Sequence, residues 1–293
     1  MKKGITMSIN FRTFRAARRV LAAAFILAGA AAGATAAEPQ TPRLYTLDCG
    51  NMSVTDMGPL SDTFEYDGKP GHLSVPCYLI HHAKGWLLWD AGVDDRVAAQ
   101  PGGIDHGGIH VNLPQTLAQQ LAALGLAPEQ LTYLAFSHFH LDHVGNANAF
   151  PAATWIVNRK ELAWASSEPA PPGVNPALFS GVKTAKTIMI DNDYDVFGDN
   201  SVRILKAPGH TPGHQLLLVR LAKSGPVILS GDLFHYRKDR NKRLVPAFDH
   251  SRADTLASMD RIERIARNLK AKILVQHDPD EFKARRTAPA FLD

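Results

Sequence analysis

A cluster of three histidines and one aspartate constrains this chain more than any other feature of its sequence. His138, His140, Asp142 and His143 occupy four of six consecutive positions, directly after an apolar run at residues 131–136 that predicts a buried strand. Side chains in the turn after a strand can converge on one point without disrupting the sheet. Imidazole and carboxylate together suit zinc, iron or cobalt, and a surface histidine patch would not be expected directly after a core strand. The cluster therefore predicts a metal site.

Three further metal-ligand candidates follow predicted strands in the same way. His210, Asp232 and His277 each come shortly after the end of an apolar segment. These segments are residues 202–206, 227–229 and 272–275. Neighbouring strands often end at one edge of a sheet, so four separate turns can meet at one cleft. Together with the cluster, they supply five histidines and two aspartates, which are enough ligands for two divalent cations.

The remaining pattern predicts an α/β domain. Predicted strands are residues 43–47, 72–81, 85–90, 131–136, 154–158, 187–190, 202–206, 227–229 and 272–275, and predicted helices are residues 116–124, 159–165 and 253–269. Residues 93–113 contain several glycines without a clear period and are predicted to form a loop. The residues that follow position 37 are numerous enough to form one domain with a large core.

The first 37 residues have the organisation of a secretory signal peptide. Basic residues without any acid come first, then an apolar stretch at residues 20–32, then Ala34-Thr35-Ala36 as a small-residue cleavage site. The apolar stretch is shorter than the ~20 residues that span a bilayer, which favours cleavage over a membrane anchor. We expect residues 38–293 to form a periplasmic or secreted domain without stable membrane association, exported by either the general or the twin-arginine route.

The charge of the mature region does not favour a nucleic-acid partner. The whole chain has 32 Lys+Arg and 28 Asp+Glu, but six of the basic residues and none of the acidic ones precede Glu38. The mature region therefore has 26 basic residues against 28 acidic ones, a net charge of −2. This balance lacks the basic surface that binding to phosphates requires, so we expect no nucleic acid among its partners.

The chain has two cysteines, Cys49 and Cys77. An exported protein could pair them, but two cysteines are too few to define a disulfide framework. Cys77 lies within the apolar residues 74–80, which predict a buried strand, so the sequence favours a small apolar core residue at this position. Whether the two cysteines pair stays open from the sequence alone.

Taken together, these motifs resemble the metallo-β-lactamase superfamily. They are the H-x-H-x-D-H cluster, the P-G-H-T-P-G-H turn at residues 208–214, Gly231-Asp232 and the late His277. Within that superfamily, residues 137–150, 157–165, 207–215 and 245–278 resemble the N-acyl-homoserine lactone lactonases, the quorum-quenching branch. The resemblance covers most of residues 42–285. It implies an α/β fold of the αβ/βα four-layer sandwich type.

The resemblance also implies a role for each ligand. One metal would be held by His138, His140 and His210, and the other by Asp142, His143 and His277. Asp232 would bridge both metals together with a hydroxide, and His214 would have a structural role outside the ligand set. Two divalent cations are therefore expected, with zinc as the first choice and iron, cobalt or manganese as alternatives.

The reaction implied is opening of the lactone ring of N-acyl-homoserine lactones. The bridging hydroxide would attack the carbonyl carbon, the metals would stabilise the charge that develops, and Asp142 would protonate the leaving oxygen. These lactonases commonly carry a tyrosine three residues after the bridging aspartate, where it binds the substrate carbonyl. This chain has His235 there, followed by Tyr236. Either His235 replaces the phenol as a hydrogen-bond donor, or a shifted loop presents Tyr236.

Other substrates and other classes of protein stay open at this point. The same centre could hydrolyse a β-lactam, a phosphotriester, a thioester or another lactone. A mononuclear-iron sulfur dioxygenase and a non-catalytic binding protein could share the fold, but the full set of seven ligands argues against both. The expected partner is a small acyl lactone. The oligomeric state is not set by the sequence, and a homodimer is one of the alternatives.

Overall fold

The computed structural model describes Met1 and residues 41–293. The predicted leader, residues 1–37, lies outside the described residues apart from Met1, so its nature stays a prediction. In the described part, no helix is both long enough and apolar enough to cross a membrane.

Residues 41–293 form fourteen strands and six α-helices, and several of the strands follow one another without a helix between them. The strands are β1 (Arg43–Val54), β2 (Gly71–His82), β3 (Gly85–Trp89), β4 (Ile104–His106), β5 (Ile109–Asn112), β6 (Leu131–Ala135), β7 (Thr154–Asn158), β8 (Thr187–Ile190), β9 (Tyr194–Asp195), β10 (Val202–Lys206), β11 (Gln215–Leu221), β12 (Gly225–Leu229), β13 (Lys272–Leu274) and β14 (Phe291–Leu292). The α-helices are α1 (Leu117–Ala123), α2 (Leu141–Val144), α3 (Arg159–Ala165), α4 (Arg237–Lys242), α5 (Arg252–Leu269) and α6 (Pro279–Lys283). Short 3₁₀ turns connect several of them.

Within residues 41–293 the strands form two mixed sheets. The larger sheet has nine strands in the order β4-β5-β1-β2-β3-β6-β7-β8, with β14 paired to β1. The smaller sheet has five strands in the order β13-β12-β11-β10-β9. The parallel pairs β3–β6 and β6–β7 in the larger sheet, and β12–β13 in the smaller one, bring the carboxyl ends of these strands to the same edges.

The main core lies between the two sheets. Ile80 and Trp89 of the larger sheet share one buried cluster with Leu217 and Leu229 of the smaller sheet, and all four side chains are fully buried. Burial of each such side chain contributes about 1.5–3 kcal/mol relative to exposure. This contact holds the sheets face to face.

Helices cover the outer face of each sheet. Leu121 of α1 packs with Trp155 of β7 on the larger sheet, whereas Met259 and Ile262 of α5 pack with Ile228 of β12 on the smaller one. The order of layers is thus helix, sheet, sheet, helix, and the predicted αβ/βα four-layer sandwich is confirmed.

One sequence-based assignment of secondary structure was wrong, and one buried strand was missed. Residues 93–113 were predicted to form a loop, but β4 and β5 form a hairpin that extends the larger sheet by pairing with β1. Its residues are mostly exposed, so backbone pairing defines the hairpin and no pattern of buried side chains marks it. The buried strand β11, between β10 and β12, was not predicted.

The expectation that Cys77 is only a core residue needs correction. Cys77 is fully buried, as expected, but it forms a disulfide with Cys49. Antiparallel pairing of β1 with β2, with a shift of register between Asp48 and Asn51, brings the two cysteines to a Cα–Cα distance of 5.7 Å. This distance lies in the usual range for disulfides.

Candidate metal centre

Four turns after strand ends converge at one edge of the two sheets. The turn after β6 carries His138 and His140 and continues into α2, which contains Asp142 and His143. The other three turns follow β10, β12 and β13 and carry His210, Asp232 and His277. Of these seven residues, only His140 is not classed as buried. The structure therefore brings together all seven predicted ligands.

His138, His140 and His210 form what we call the three-histidine group. The Nε2 atoms of His138 and His210 lie 2.9 and 3.1 Å from Nδ1 of His140. Oδ2 of Asp232 lies 3.7 Å from Nε2 of His138 and 3.4 Å from Nε2 of His210. A single proton cannot satisfy three converging ring nitrogens, whereas a divalent cation can take all three as ligands.

Asp142, His143 and His277 form what we call the Asp142 group. Oδ2 of Asp142 lies 3.6 Å from Nε2 of His143 and 3.7 Å from Nε2 of His277. The other oxygen of Asp232, Oδ1, lies 3.2 Å from Nε2 of His143 and 3.0 Å from Nε2 of His277. Asp232 thus directs one oxygen to each group, which is the geometry of a bridging carboxylate.

The outer ring nitrogens prepare the histidines to bind metals. Nδ1 of His210 contacts Oδ1 of Asp249 at 2.8 Å, and Nδ1 of His277 contacts the carbonyl oxygen of Ser74 at 2.7 Å. When Nδ1–H donates to such an acceptor, the lone pair of Nε2 is free for a metal. Nε2 of His143 is buried without a hydrogen-bond partner, which is costly unless a ligand such as a metal takes it. These side chains therefore fit two divalent cations.

Burial and neighbouring charges favour neutral His138 and His140 beside an ionised Asp232. Burial, followed by the neighbouring imidazoles, holds the pKa values of His138 and His140 well below the usual value. Burial would raise the pKa of Asp232, but the surrounding histidines outweigh burial and hold that pKa well below its usual range. Neutral imidazoles and an ionised carboxylate are the forms that bind metals.

His214, which the sequence placed outside the ligand set, lies beside the centre. Its Nε2 accepts a hydrogen bond from the backbone N–H of Asp232 at 2.9 Å, and its Nδ1 contacts the carbonyl oxygen of Ala207 at 3.0 Å. Burial lowers the pKa of His214 to about 3, so the ring is neutral. With both nitrogens engaged, His214 orients Asp232.

The side chains of His235 and Tyr236 point to different parts of the protein. The buried His235 has its Nε2 atom 3.3 Å from Oδ2 of Asp232. Tyr236 turns away, and its hydroxyl donates to the carbonyl oxygen of His72 at 2.7 Å while its ring packs against Tyr66. In this structure Tyr236 is the N-cap of α4 and its phenol is directed to β2, which favours His235 over Tyr236 as the donor to the substrate.

Two carboxylates that orient the ligands were missed by the sequence reasoning. Asp90, fully buried after β3, accepts the backbone N–H of Ser137 at 2.7 Å and contacts Nδ1 of His143 at 3.0 Å. Asp249 is the partner of His210 described above. Asp90 offered a signal, since it too directly follows a strand, whereas Asp249 lies before α5 in a segment without any such pattern.

A largely apolar cavity of about 690 Å³ opens on the centre. Ligand residues and His235 form part of its wall, and the remainder includes Leu60, Leu73, Ile109, Leu141, Trp164 and Phe248. Ile109, Leu141 and Phe248 are large apolar side chains that stay exposed in the described protein. Such a wall suits a ligand with an apolar part next to a polar, metal-binding head.

The chain is similar to known proteins of one superfamily. Residues 70–277 match the family described as the metallo-beta-lactamase superfamily. The N-acyl homoserine lactonase AttM of Azorhizobium caulinodans is 33% identical over 269 residues, which cover 86% of this chain and 98% of that protein. AiiA of Bacillus thuringiensis subsp. kurstaki, also named an N-acyl homoserine lactonase, is 28% identical over 233 residues, which cover 77% of this chain and 89% of that protein.

A solved structure shows the same similarity in three dimensions. It is an N-acyl homoserine lactone hydrolase with the product N-hexanoyl-L-homoserine bound at its catalytic metal centre. The two structures superpose with a TM-score of 0.76 and 25% sequence identity, over 86% of this chain and 100% of the other. The chain therefore belongs to the metallo-beta-lactamase superfamily and, within it, to the family of the N-acyl homoserine lactonases.

Proposed function

We propose that this protein is a dinuclear-metal hydrolase that opens the lactone ring of N-acyl-homoserine lactones. The observation that carries the proposal is the convergence of two groups of ligands on the two oxygens of Asp232, beside a largely apolar cavity. The relatives named N-acyl homoserine lactonases support the choice of substrate, as does the relative that holds N-hexanoyl-L-homoserine.

The three-histidine group would hold one cation and the Asp142 group the other, with Asp232 shared between them. Two divalent cations in such a centre lower the pKa of a water toward neutrality and polarise a substrate carbonyl. Zinc suits this set of imidazoles and carboxylates, and iron, cobalt and manganese accept the same ligands. We propose zinc as the resident metal.

We propose His235 as the residue that binds the lactone carbonyl. It lines the cavity, and its Nε2 lies close to Asp232 at the middle of the centre. Burial lowers the pKa of His235, but the carboxylate of Asp232 outweighs burial and raises it above the usual value, which keeps the ring able to donate. We propose that Nε2–H of His235 donates to the carbonyl oxygen, in the role that the family resemblance implies for a tyrosine at this position.

We propose Asp142 as the residue that protonates the leaving group. Its side chain lines the cavity and is 12% exposed, whereas the rings of His143 and His277 behind it are almost fully buried. The ring oxygen of the lactone leaves as a poor alkoxide, and the hydroxyl added to the carbonyl carbon loses its proton as the product carboxylate forms. We propose that Asp142 takes this proton and passes it to the leaving ring oxygen. The amide of the substrate keeps its bond, and the acyl chain lies along the apolar wall.

We also propose that the protein acts outside the cytoplasm. The basic and apolar organisation of residues 1–37 motivates this proposal, and the Cys49–Cys77 disulfide supports it because such bonds persist in oxidising compartments. N-terminal sequencing of the protein from its native host should give a start near Ala37 or Glu38. An intact leader recovered in the membrane fraction would contradict the proposal.

A substrate panel with purified, metal-loaded protein tests the function. We expect two metals per chain and rapid hydrolysis of N-hexanoyl- and N-decanoyl-homoserine lactone, with slow or no hydrolysis of a β-lactam, a phosphotriester and a thioester. Asp232→Ala is the matched control, since it removes the shared carboxylate and should lose most activity. Turnover of none of the acyl lactones, together with fast hydrolysis of another substrate, would refute the proposal.

A further inference from the structure

A buried carboxylate outside the ligand set joins two of the metal-binding turns. Glu161 lies in the first turn of α3 and is 1% exposed. Its Oε1 accepts the backbone N–H of Phe139 at 3.0 Å. Its Oε2 accepts the hydroxyl of Thr211 at 2.7 Å and the backbone N–H of Gly213 at 2.9 Å. Both oxygens are therefore used.

The partners of Glu161 are the neighbours of the three-histidine group. Phe139 lies between His138 and His140 in the chain, and Thr211 directly follows His210. One side chain thus fixes the backbone of both turns that supply this group, although the turns are far apart in sequence. The hydrogen bonds to Glu161 set the distance between these turns.

The local sequence fixes Glu161 itself. Asn158 caps α3, and its Oδ1 accepts the backbone N–H groups of Lys160 and Glu161 at 2.9 and 3.3 Å. Gly213 lies directly on this helix start, where an added Cβ would stand 2.4 Å from the backbone nitrogen of Glu161. The turn that carries His210 therefore packs closely against the start of α3, with no space for a side chain at Gly213.

The charge of Glu161 is matched by its surroundings. All three partners donate hydrogen bonds, so the ionised carboxylate satisfies them and a protonated one would not satisfy them all. Burial raises the pKa of Glu161 above its usual value, and the hydrogen bonds from Thr211, Phe139 and Gly213 offset only part of that shift. An ionised carboxylate at this position also attracts positive charge in the adjacent centre, since the interior screens little.

Asp90 and Glu161 contact different ligands most directly. Asp90 contacts Nδ1 of His143 in the Asp142 group, and its hydrogen bond to Ser137 reaches the residue before His138. Glu161 is bonded to the backbone between His138 and His140 and to the turn that carries His210. Loss of Glu161 should therefore affect one metal position more than the other.

We propose that Glu161 is a positioning residue that holds the turns of His138, His140 and His210 in metal-binding geometry and sets the affinity of this position. The inference rests on the proposed dinuclear centre, but it does not depend on the substrate. Removal of a residue that hydrogen-bonds to the metal ligands and orients them typically lowers metal affinity by about 10–100-fold.

Two substitutions test the proposal with different chemistry. Glu161→Gln keeps the size of the side chain, but its NH₂ group cannot accept, so at least one of the three donors loses its partner. Thr211→Val keeps the charge and shape and removes only the hydroxyl contact. Glu129→Gln is the matched control, because Glu129 is exposed on another turn and makes the same change of charge. Circular dichroism verifies that each variant is folded.

The readout is cobalt retention and the visible spectrum of the bound cobalt, with no substrate present. His210→Ala and His143→Ala give the spectra that remain when one or the other position is disrupted. After challenge with a chelator, Glu161→Gln should lose cobalt from the position disrupted in His210→Ala, with an affinity reduced by about 10–100-fold. Thr211→Val should show a smaller loss at the same position, and Glu129→Gln should match the wild type.

Two results would overturn the proposal. Wild-type cobalt retention in folded Glu161→Gln would show that the carboxylate does not set the affinity. Equal weakening of both positions would show that Glu161 acts only through general stability. If Glu161→Gln does not fold, the selective loss in Thr211→Val decides the question. Failure of the lactonase proposal would appear in the substrate panel and leave this result unchanged.

Discussion

The backbone N–H of Asp232 donates to Nε2 of His214 at 2.9 Å, which fixes the residue shared by the two metal positions. Because both ring nitrogens of His214 are engaged away from a metal, we expect His214→Ala to keep two metals per chain. His210→Ala should lose one, since His210 belongs to the three-histidine group. Elemental analysis after dialysis measures both. A variant pair with the opposite behaviour would reverse the assignment of the two histidines in this turn.

The second prediction concerns the histidine that stands in place of tyrosine. If His235 binds the lactone carbonyl, His235→Phe should lower kcat by roughly 10²–10³, as loss of an oxyanion donor does. Tyr236→Phe should change kcat little, because the hydroxyl of Tyr236 is bonded to the backbone of His72. Steady-state kinetics on one acyl lactone compares the two. Equal losses in both variants would contradict the division of roles.

The sequence predicted that the candidate ligands would lie together because of their positions, whereas the choice of His210 over His214 came from the family resemblance. Each ligand turn follows a strand, and strands are recognisable from apolar runs, so convergence at one edge could be inferred. The residues that hydrogen-bond to the ligand turns were harder to predict from the sequence. Glu161 contacts Thr211 from 50 positions away, and Asp90 contacts His143 from 53 positions away. Such pairings depend on how the sheets pack, which no local pattern in either segment records.

The β4–β5 hairpin and the disulfide were not predicted because they too depend on pairing between strands. The hairpin of β4 and β5 is stabilised by backbone pairing with β1 while its side chains stay largely exposed, so it lacks the alternation that marks a half-buried strand. Cys49 and Cys77 meet because of a register shift in the β1–β2 pair, which cannot be read from either strand alone.

The third prediction concerns the disulfide. Cys49 and Cys77 are separated by 28 residues, so the bond should stabilise the folded protein by about 3–4 kcal/mol through the unfolded chain. The double variant Cys49→Ser, Cys77→Ser should lower the free energy of unfolding by roughly that amount in urea titrations. Thiol titration of the denatured, unreduced wild type should find no free thiol. Two free thiols per chain would contradict the bond.

The fourth prediction is a pH dependence of stability at a site remote from the metals. Burial raises the pKa of Asp199, but hydrogen bonds from Ser201 and His82 outweigh burial and lower it to about 2. A carboxyl group whose pKa is lower in the folded than in the unfolded protein stabilises the folded state at pH values above its unfolded pKa. This contribution is lost as the pH falls toward the pKa of the folded state.

Asp199→Asn should therefore lower the Tm at pH 5, and the difference from the wild type should disappear as the pH approaches 2. The effect should be modest and decrease with salt, because the side chain of Asp199 is 40% exposed. Thermal unfolding of both proteins across this pH range measures it. A Tm difference that does not depend on pH would contradict the ionised pairing.

Mass spectrometry of the product formed in ¹⁸O-water distinguishes hydrolysis of the lactone ester from hydrolysis of the amide. We expect one product, heavier than N-hexanoyl-homoserine lactone by one labelled water, with the label in the new carboxylate and the amide intact. In acid this product should close to the lactone again. Release of free homoserine lactone and labelled hexanoic acid would show cleavage of the amide and would contradict hydrolysis of the ring ester.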